Sequence, residues 1–444
     1  MKSAAFGPLR KGIPTARVLI VALALVGAAP RASSGVTEEE YAGRRSAVAE
    51  ALDTAAVAIF RGADVKMRSA DVDYRYRQES NLLYLAGINE PGITLILTGK
   101  GIPLDGASYR RFLLAGADAR KAISSAGLFK DGLVLDPARL SEVLGLVLQG
   151  TQTLYLSMPD IRFVNDWMNN RPLFLDRDVR KELERRIAGL KVRSAGPLVT
   201  KLREIKSQAE IDLIAKSIAV TGDGLVRAMR TSGPGVFEYE LQAAVEFEMS
   251  RQGAEAVGFP SIIGSGPNSL ILHYSMNRRK MKEGEMVVMD VGAEVEGYSA
   301  DVTRSIPIDG SFSREQRQVY TAVLDAQKAA IAAIRPGATF AQLEKIARES
   351  LALSGFAKYL THGISHHLGL DTHDAGSLDT LRAGMVITVE PGAYIPANDT
   401  TLGPGFRGWG VRIEDDVLVT GSGNTVLSAK IPKEIGEIER IMRK

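Results

Sequence analysis

The chain has 444 residues, 55 basic and 52 acidic, with 45% hydrophobic residues and a formal charge of +3. That length exceeds what one ordinary core fills, so two domains are expected. Cysteine is absent, which excludes disulfides and thiolate chemistry and leaves any metal to nitrogen and oxygen ligands.

The first stretch reads as an export signal. Lys2, Arg10, Lys11 and Arg17 precede an apolar run at 18–29, too short for a typical membrane span but suited to the core of a signal peptide. Ala32 and Ser34 then form a small-residue pair of the minus-three, minus-one type. Residues 1–34 are therefore expected to direct export, to the periplasm or the cell exterior, and to leave no stable membrane span once cleaved. An uncleaved N-terminal anchor is the alternative. The segment holds five of the 55 basic residues and none of the 52 acids, so the remainder balances 50 against 52. The positive excess belongs to the leader and gives no support to nucleic-acid binding.

Residues 36–198 are expected to form one α/β domain. EEYAGRRSAVAEALDTAAVAIFRG has the pattern of a helix leading into a strand, and the apolar runs LLYLAG, ITLILTG, RRFLLAG and TLYLSM suggest a sheet flanked by helices. RDVRKELERRIAGLKV reads as a charged, solvated helix. Nothing in this domain clusters acids with histidines, so its expected work is to narrow a site elsewhere or to make a subunit contact.

Residues 199–444 form the second expected domain. Ser207 and Glu210 make a capping-box pattern ahead of an apolar stripe at Ile211, Ile214, Ala215, Ile218 and Leu225, marking a helix start. A faint duplication follows. GPGVFEYELQAAVEFEM, His273 and a strand ending in Asp290 are matched by RPGATFAQLEKIARESL, His373 and a strand ending in Glu390. Asp301 and Glu414 fall in the later strand of each half. Two helices plus antiparallel strands per half would then bring four carboxylates to a shared axis.

All five histidines lie between His273 and His373, four of them in HGISHHLGLDTHD. Asp290 and Asp301 flank GAEVEGYSA, whose Gly292 and Gly297 suit a turn between paired strands. Acids set in β-branched apolar runs are costly to bury unless something positive compensates them, and two divalent cations would do so. Hard carboxylates with one imidazole fit manganese best, with cobalt, iron or zinc also able to bind. Such a site activates water and polarises a carbonyl, as hydrolysis requires. In VRIEDDVLV, alternation places Arg412 on the face of Glu414, as a supporting partner for a ligand carboxylate. Asp415 and Asp416 read as one outward acid and one turn acid. Taken singly, each acid could simply cap a turn.

HGISHHLGLDTHD, MDVGAEVEGYSADVTR, TVEPGAY and VRIEDD resemble the signature blocks of the pita-bread metallopeptidases, specifically aminopeptidase P and prolidase. The resemblance covers about 201–419, and YRQESNLLYLAGINEPGITLIL extends it more weakly into the first domain. It implies an α+β fold, with an RNase H-like α/β domain ahead of a pita-bread catalytic domain. It also implies a two-metal site held by Asp290, Asp301, His366, Glu390 and Glu414. His273 matches the substrate-facing histidine, His362 the one lining the proline pocket, and His373 the one steadying the transition state. Glu390 would double as proton shuttle, and His367 would be structural or solvent-facing. The implied activity is release of the N-terminal residue from peptides with proline in second position, by an expected homo-oligomer. Alternatives are a prolidase restricted to dipeptides, a non-catalytic peptide-binding relative, and a metal-free creatinase-like hydrolase. The segment between His373 and Glu390 departs from the family pattern, being shorter and lacking a clear counterpart of an arginine carried there.

Overall fold

The structure is a computed structural model and describes residues 35–157, 164–166, 171–173 and 175–443. The expected export signal lies outside these residues.

The chain opens with α1 (Glu38–Glu50), whose first turn is fixed by the Thr37 hydroxyl accepting from the Glu40 amide at 3.3 Å. It feeds β1 (Ala56–Arg61), the strand on which the first sheet is built. Helix α2 (Ser80–Ala86) is followed by β2 (Thr94–Leu104), β3 (Ala107–Leu114), β4 (Leu133–Leu135), β5 (Thr153–Ser157) and β6 (Lys191–Ser194). The sheet order is β6-β5-β1-β2-β3-β4. β1 pairs antiparallel with β2 and parallel with β5, so the sheet is mixed. Alternation along β1 sends Ala58 and Phe60 into a core continuous with the second half of the chain. Val57 faces a separate, smaller core closed by Val143 and Val147.

One apolar run is not a strand. LLYLAG lies in α2 because Glu79 caps it, accepting from the Leu82 amide at 2.8 Å, and Gly87 ends it at φ 67°. A left-handed residue that ends a helix is most often glycine, which lacks the Cβ that strains this conformation.

The second half begins with α3 (Gly196–Arg203) and α4 (Gln208–Thr231). The capping box of α4 is reciprocal: Ser207 Oγ accepts from the Glu210 amide, and Glu210 accepts from the Ser207 amide. Helix α5 (Glu238–Arg251) packs on α4 and precedes β7 (Ile262–Ser265), β8 (Met286–Val291) and β9 (Val302–Pro307). These strands form an antiparallel sheet with β8 in the centre. The pattern then repeats. Helices α6 (Arg314–Ala332) and α7 (Phe340–Leu353) pair with each other and precede β10 (Val386–Val389), β11 (Gly392–Ile395), β12 (Trp409–Arg412) and β13 (Asp415–Val419). β10 pairs with β13, and β11 with β12, all antiparallel.

The two halves are stitched where the acids sit. The Glu414 amide donates to the Thr303 carbonyl at 3.1 Å, and the Asp301 amide to Asp416 Oδ2 at 3.1 Å. Asp415 and Asp416 are therefore neither outward nor turn acids; both are fully buried. Asp415 accepts from Arg304 at 2.8 Å and from Ser428 at 2.7 Å, and also meets Lys433. Paired this way, a buried charge is tolerable.

Ion pairs also join the first sheet domain to the second half. Arg44, buried in α1, lies 3.1 Å from Glu210, which accepts from the Tyr298 hydroxyl at 3.0 Å. Arg77 donates to Glu294 at 2.9 Å.

Candidate active site

Five side chains expected from the sequence meet at the junction of the two repeats. Asp290 sits on the central strand β8, opposite Thr303 of β9. Asp301 directly precedes β9, Glu390 follows β10, and Glu414 precedes β13. Three carboxylates thus stand at strand ends.

His366 arrives on a segment running along β10. Its amide donates to the Thr388 hydroxyl at 3.2 Å, and its carbonyl accepts from the Thr388 amide at 2.9 Å. Imidazole Nδ1 lies 3.0 Å from the His367 carbonyl, an arrangement that protonates Nδ1 and leaves the Nε2 lone pair free. Nε2 is 3.5 Å from Asp301 and 3.4 Å from Glu390. One ligand atom each of Asp301, His366 and Glu414 lie within 4.8 Å of one another.

Electrostatics describe a site built for cations. Burial, reinforced by the charge of Asp290, pushes the Asp301 carboxyl well above its ordinary range. Glu414 is raised by burial and by Asp301, and burial lifts Glu390 to about 8. Asp290 Oδ1 is buried without a hydrogen-bond partner. Crowded oxygen donors, one orphaned, beside an imidazole with a free lone pair are the donor set a divalent metal takes. The residues fit the group.

Among the described residues, Arg412 is the cation that hydrogen-bonds a carboxylate of this group. It donates to Asp290 Oδ2 at 2.6 Å, to the Tyr394 hydroxyl at 2.8 Å and to the Thr303 hydroxyl at 3.1 Å. Thr303 in turn donates to Glu414 at 2.7 Å. The expected continuous strand from Arg412 to Glu414 is broken between β12 and β13, so Arg412 reaches Glu414 only through Thr303. Its direct carboxylate partner is Asp290.

Tyr394 and Thr303 belong to the site but were not singled out from the sequence. Arg412 pairs with Gly392 across β11 and β12, so Tyr394, two residues along, shares its face. That alternation was the available signal for Tyr394. Thr303 carried none, because its role depends on an arginine more than a hundred residues away.

The remaining histidines surround this centre. His362 Nε2 lies 2.9 Å from the Tyr394 hydroxyl, and burial lowers its pKa to about 4, so it is neutral. His373 is exposed, with its ring centroid 4.1 Å from that of His366. Burial and then the neighbouring His366 and His273 hold its pKa low. His273 is exposed on the loop after β7. His367 is not solvent-facing: it is 1% exposed, bonds the Ser377 carbonyl through Nε2 at 2.9 Å and packs on Phe340.

Comparison with known proteins shows the family. Residues 212–421 match the model of metallopeptidase family M24, and 41–121 that of the aminopeptidase P N-terminal domain. The Xaa-Pro aminopeptidase of Escherichia coli is 32% identical over 92% of this chain and 98% of its own length. Human Xaa-Pro aminopeptidase 3 is 34% identical over 84% and 78% respectively. Among solved structures, aminopeptidase P of E. coli with the inhibitor Pro-Leu superposes with a TM-score of 0.77 at 30% identity, covering 92% of this chain and 99% of that one. Proline aminopeptidase P II from Yersinia pestis gives 0.77 at 30% identity over 92% and 99%. The chain therefore belongs to the Xaa-Pro aminopeptidases of metallopeptidase family M24, with an α+β pita-bread catalytic domain behind an α/β N-terminal domain.

Proposed function

We propose that this protein is a metal-dependent Xaa-Pro aminopeptidase, releasing the N-terminal residue from peptides whose second residue is proline. The observation that carries the reading is the convergence of Asp301, His366 and Glu414 within 4.8 Å, beside the buried Asp290–Arg412 pair.

Asp290, Asp301, His366, Glu390 and Glu414 would hold two divalent ions, with manganese preferred for an oxygen-rich set and cobalt, zinc or iron able to substitute. When bound, the metal supplies Lewis acidity, lowering the pKa of water and polarising the scissile carbonyl. Glu390 takes the proton from the attacking water at a carboxylate oxygen and passes it to the leaving nitrogen. His373 and His273 donate to the carbonyl oxygen as charge develops there. His362, neutral and backed by Tyr394, offers an uncharged surface to the proline ring. The carboxylates also suit the free amino terminus.

Export directed by residues 1–34, to the periplasm or the cell exterior, belongs to the same reading and is supported by the basic and apolar pattern of that segment. No helix of the described residues is long and apolar enough to cross a membrane. Assembly as a homo-oligomer, and a domain division at 198/199, are further parts of the proposal.

The test is turnover by metal-loaded protein of proline peptides from two to five residues. Release of the first residue from tripeptides and longer chains is the expected result. Cleavage of Xaa-Pro dipeptides alone would replace this reading with a prolidase, and no cleavage of any would remove it.

A further inference from the structure

His373 is exposed and its ring meets that of His366 at 4.1 Å, so its direction depends also on how its backbone is held. That backbone is held from the next residue. The side chain of Asp374 is 2% exposed; it meets Arg203, and its Oδ2 lies 3.0 Å from Lys206 Nζ. The Asp374 amide donates to the His367 carbonyl at 2.9 Å, one residue beyond the proposed ligand His366. The loop wraps closely around the carboxylate: a Cβ on Gly369 would sit 2.3 Å from Asp374 Oδ2.

Arg203 is the hub of the arrangement. It is 3% exposed, on the last turn of α3, and besides Asp374 it donates to Asp371 Oδ2 at 2.7 Å and to Asn81 Oδ1 at 2.9 Å. The N-terminal domain adds two more holds on the same loop. Ser80 Oγ donates to Asp371 Oδ1 at 2.7 Å, and Arg77 donates to the Leu370 carbonyl. A planar guanidinium with fixed donors can hold three acceptors in one geometry, which a flexible ammonium cannot. Arg203 touches none of the acids proposed to bind metal.

We propose that Arg203 is a positioning residue for His373, gripping Asp374 and Asp371 so that the loop aims the imidazole at the reacting carbonyl. The N-terminal domain takes part through Asn81, Ser80 and Arg77. This rests on the aminopeptidase reading above. It also gives that domain a task within its own chain.

The test is a double-mutant cycle on metal-loaded, full-length protein with an Xaa-Pro-Xaa tripeptide, reading kcat, KM and metal content. Arg203→Ala is expected to lower kcat by about 100-fold, since small misplacement of a catalytic group costs that much, with KM and bound metal little changed. Arg203→Lys should recover part of the loss. His373→Ala combined with Arg203→Ala should be no slower than His373→Ala alone. A kcat for Arg203→Ala within about two-fold of wild type, or losses that multiply in the double variant, would overturn the proposal. Should Arg203→Ala fail to fold, Ser80→Ala takes its place in the same cycle, with non-additivity and multiplication read the same way. A silent wild type would instead remove the aminopeptidase reading, so the two failures are distinct.

Discussion

Arg412 donates to Asp290 at 2.6 Å from β12 to β8, joining the two repeats at the centre of the acid cluster. The arginine side chain is 4% exposed, and its other donors go to Tyr394 and Thr303. The pair holds Asp290 Oδ2 and leaves Oδ1, which has no hydrogen-bond partner, as the oxygen that would be offered to a bound cation. Arg412→Ala is therefore expected to weaken metal binding by about 10- to 100-fold, as loss of a partner behind a ligand does. A metal titration of the purified variant measures this. Wild-type affinity would show that Arg412 does not orient Asp290. Arg412→Lys should also fall short, because one ammonium cannot reach all three acceptors.

His366→Ala and Asp301→Ala are expected to lose turnover while keeping a cooperative thermal unfolding transition, because the core beneath them is apolar strand and helix packing. Activity with bound metal in either variant would refute the assignment. His367→Ala should behave in the opposite way. Its imidazole is buried against Phe340 and satisfies the Ser377 carbonyl, so its loss should cost about 2 kcal/mol of stability. Turnover below the lowered melting temperature should survive. Calorimetry and an assay on the same sample separate these effects.

Metal removal should make stability depend on pH. Without a cation, burial, opposed by His366 and Arg412 and aided by Asp301 and Asp290, holds the Glu390 carboxyl at about 8, against 4.5 for the free side chain. Between those values the folded state binds more protons than the unfolded state, so stability falls as pH rises. Chelated protein is thus expected to melt at progressively lower temperature from about pH 4.5 to about pH 8, and reloading at pH 8 should restore the loss. A chelated melting temperature that rises over this window would contradict the picture of crowded, uncompensated acids.

The Arg304–Asp415 pair is a structural counterpart to the metal site. Both side chains are fully buried, and Lys433, Ser428 and Gln327 complete the network around Asp415. Arg304→Ala leaves a buried carboxylate short of its main cation and is expected to cost about 3–5 kcal/mol. The cost should appear as a lower melting temperature, with metal binding by the surviving folded protein close to wild type. Loss of metal at unchanged stability would place Arg304 in the site instead.

Much of this protein was determined by local sequence alone. The α4 capping box, the repeated two-helix units and the strand carrying Asp290 all follow from nearest-neighbour chemistry and apolar period. The five proposed ligands were nameable because each lies in a short block whose residues resemble a known family. What the tertiary structure decided are relationships between distant segments. LLYLAG became a helix because Glu79 and Gly87 bound it, although its apolar content suits a strand equally well. Asp415 and Asp416 went inside because Arg304 and the Asp301 amide, more than a hundred residues earlier, were there to meet them. Arg412 chose Asp290 over Glu414, and Arg203 found Asp374, for the same reason. A buried charge settles beside whichever partner folding brings within hydrogen-bond reach, and no stretch of chain read by itself contains that distance.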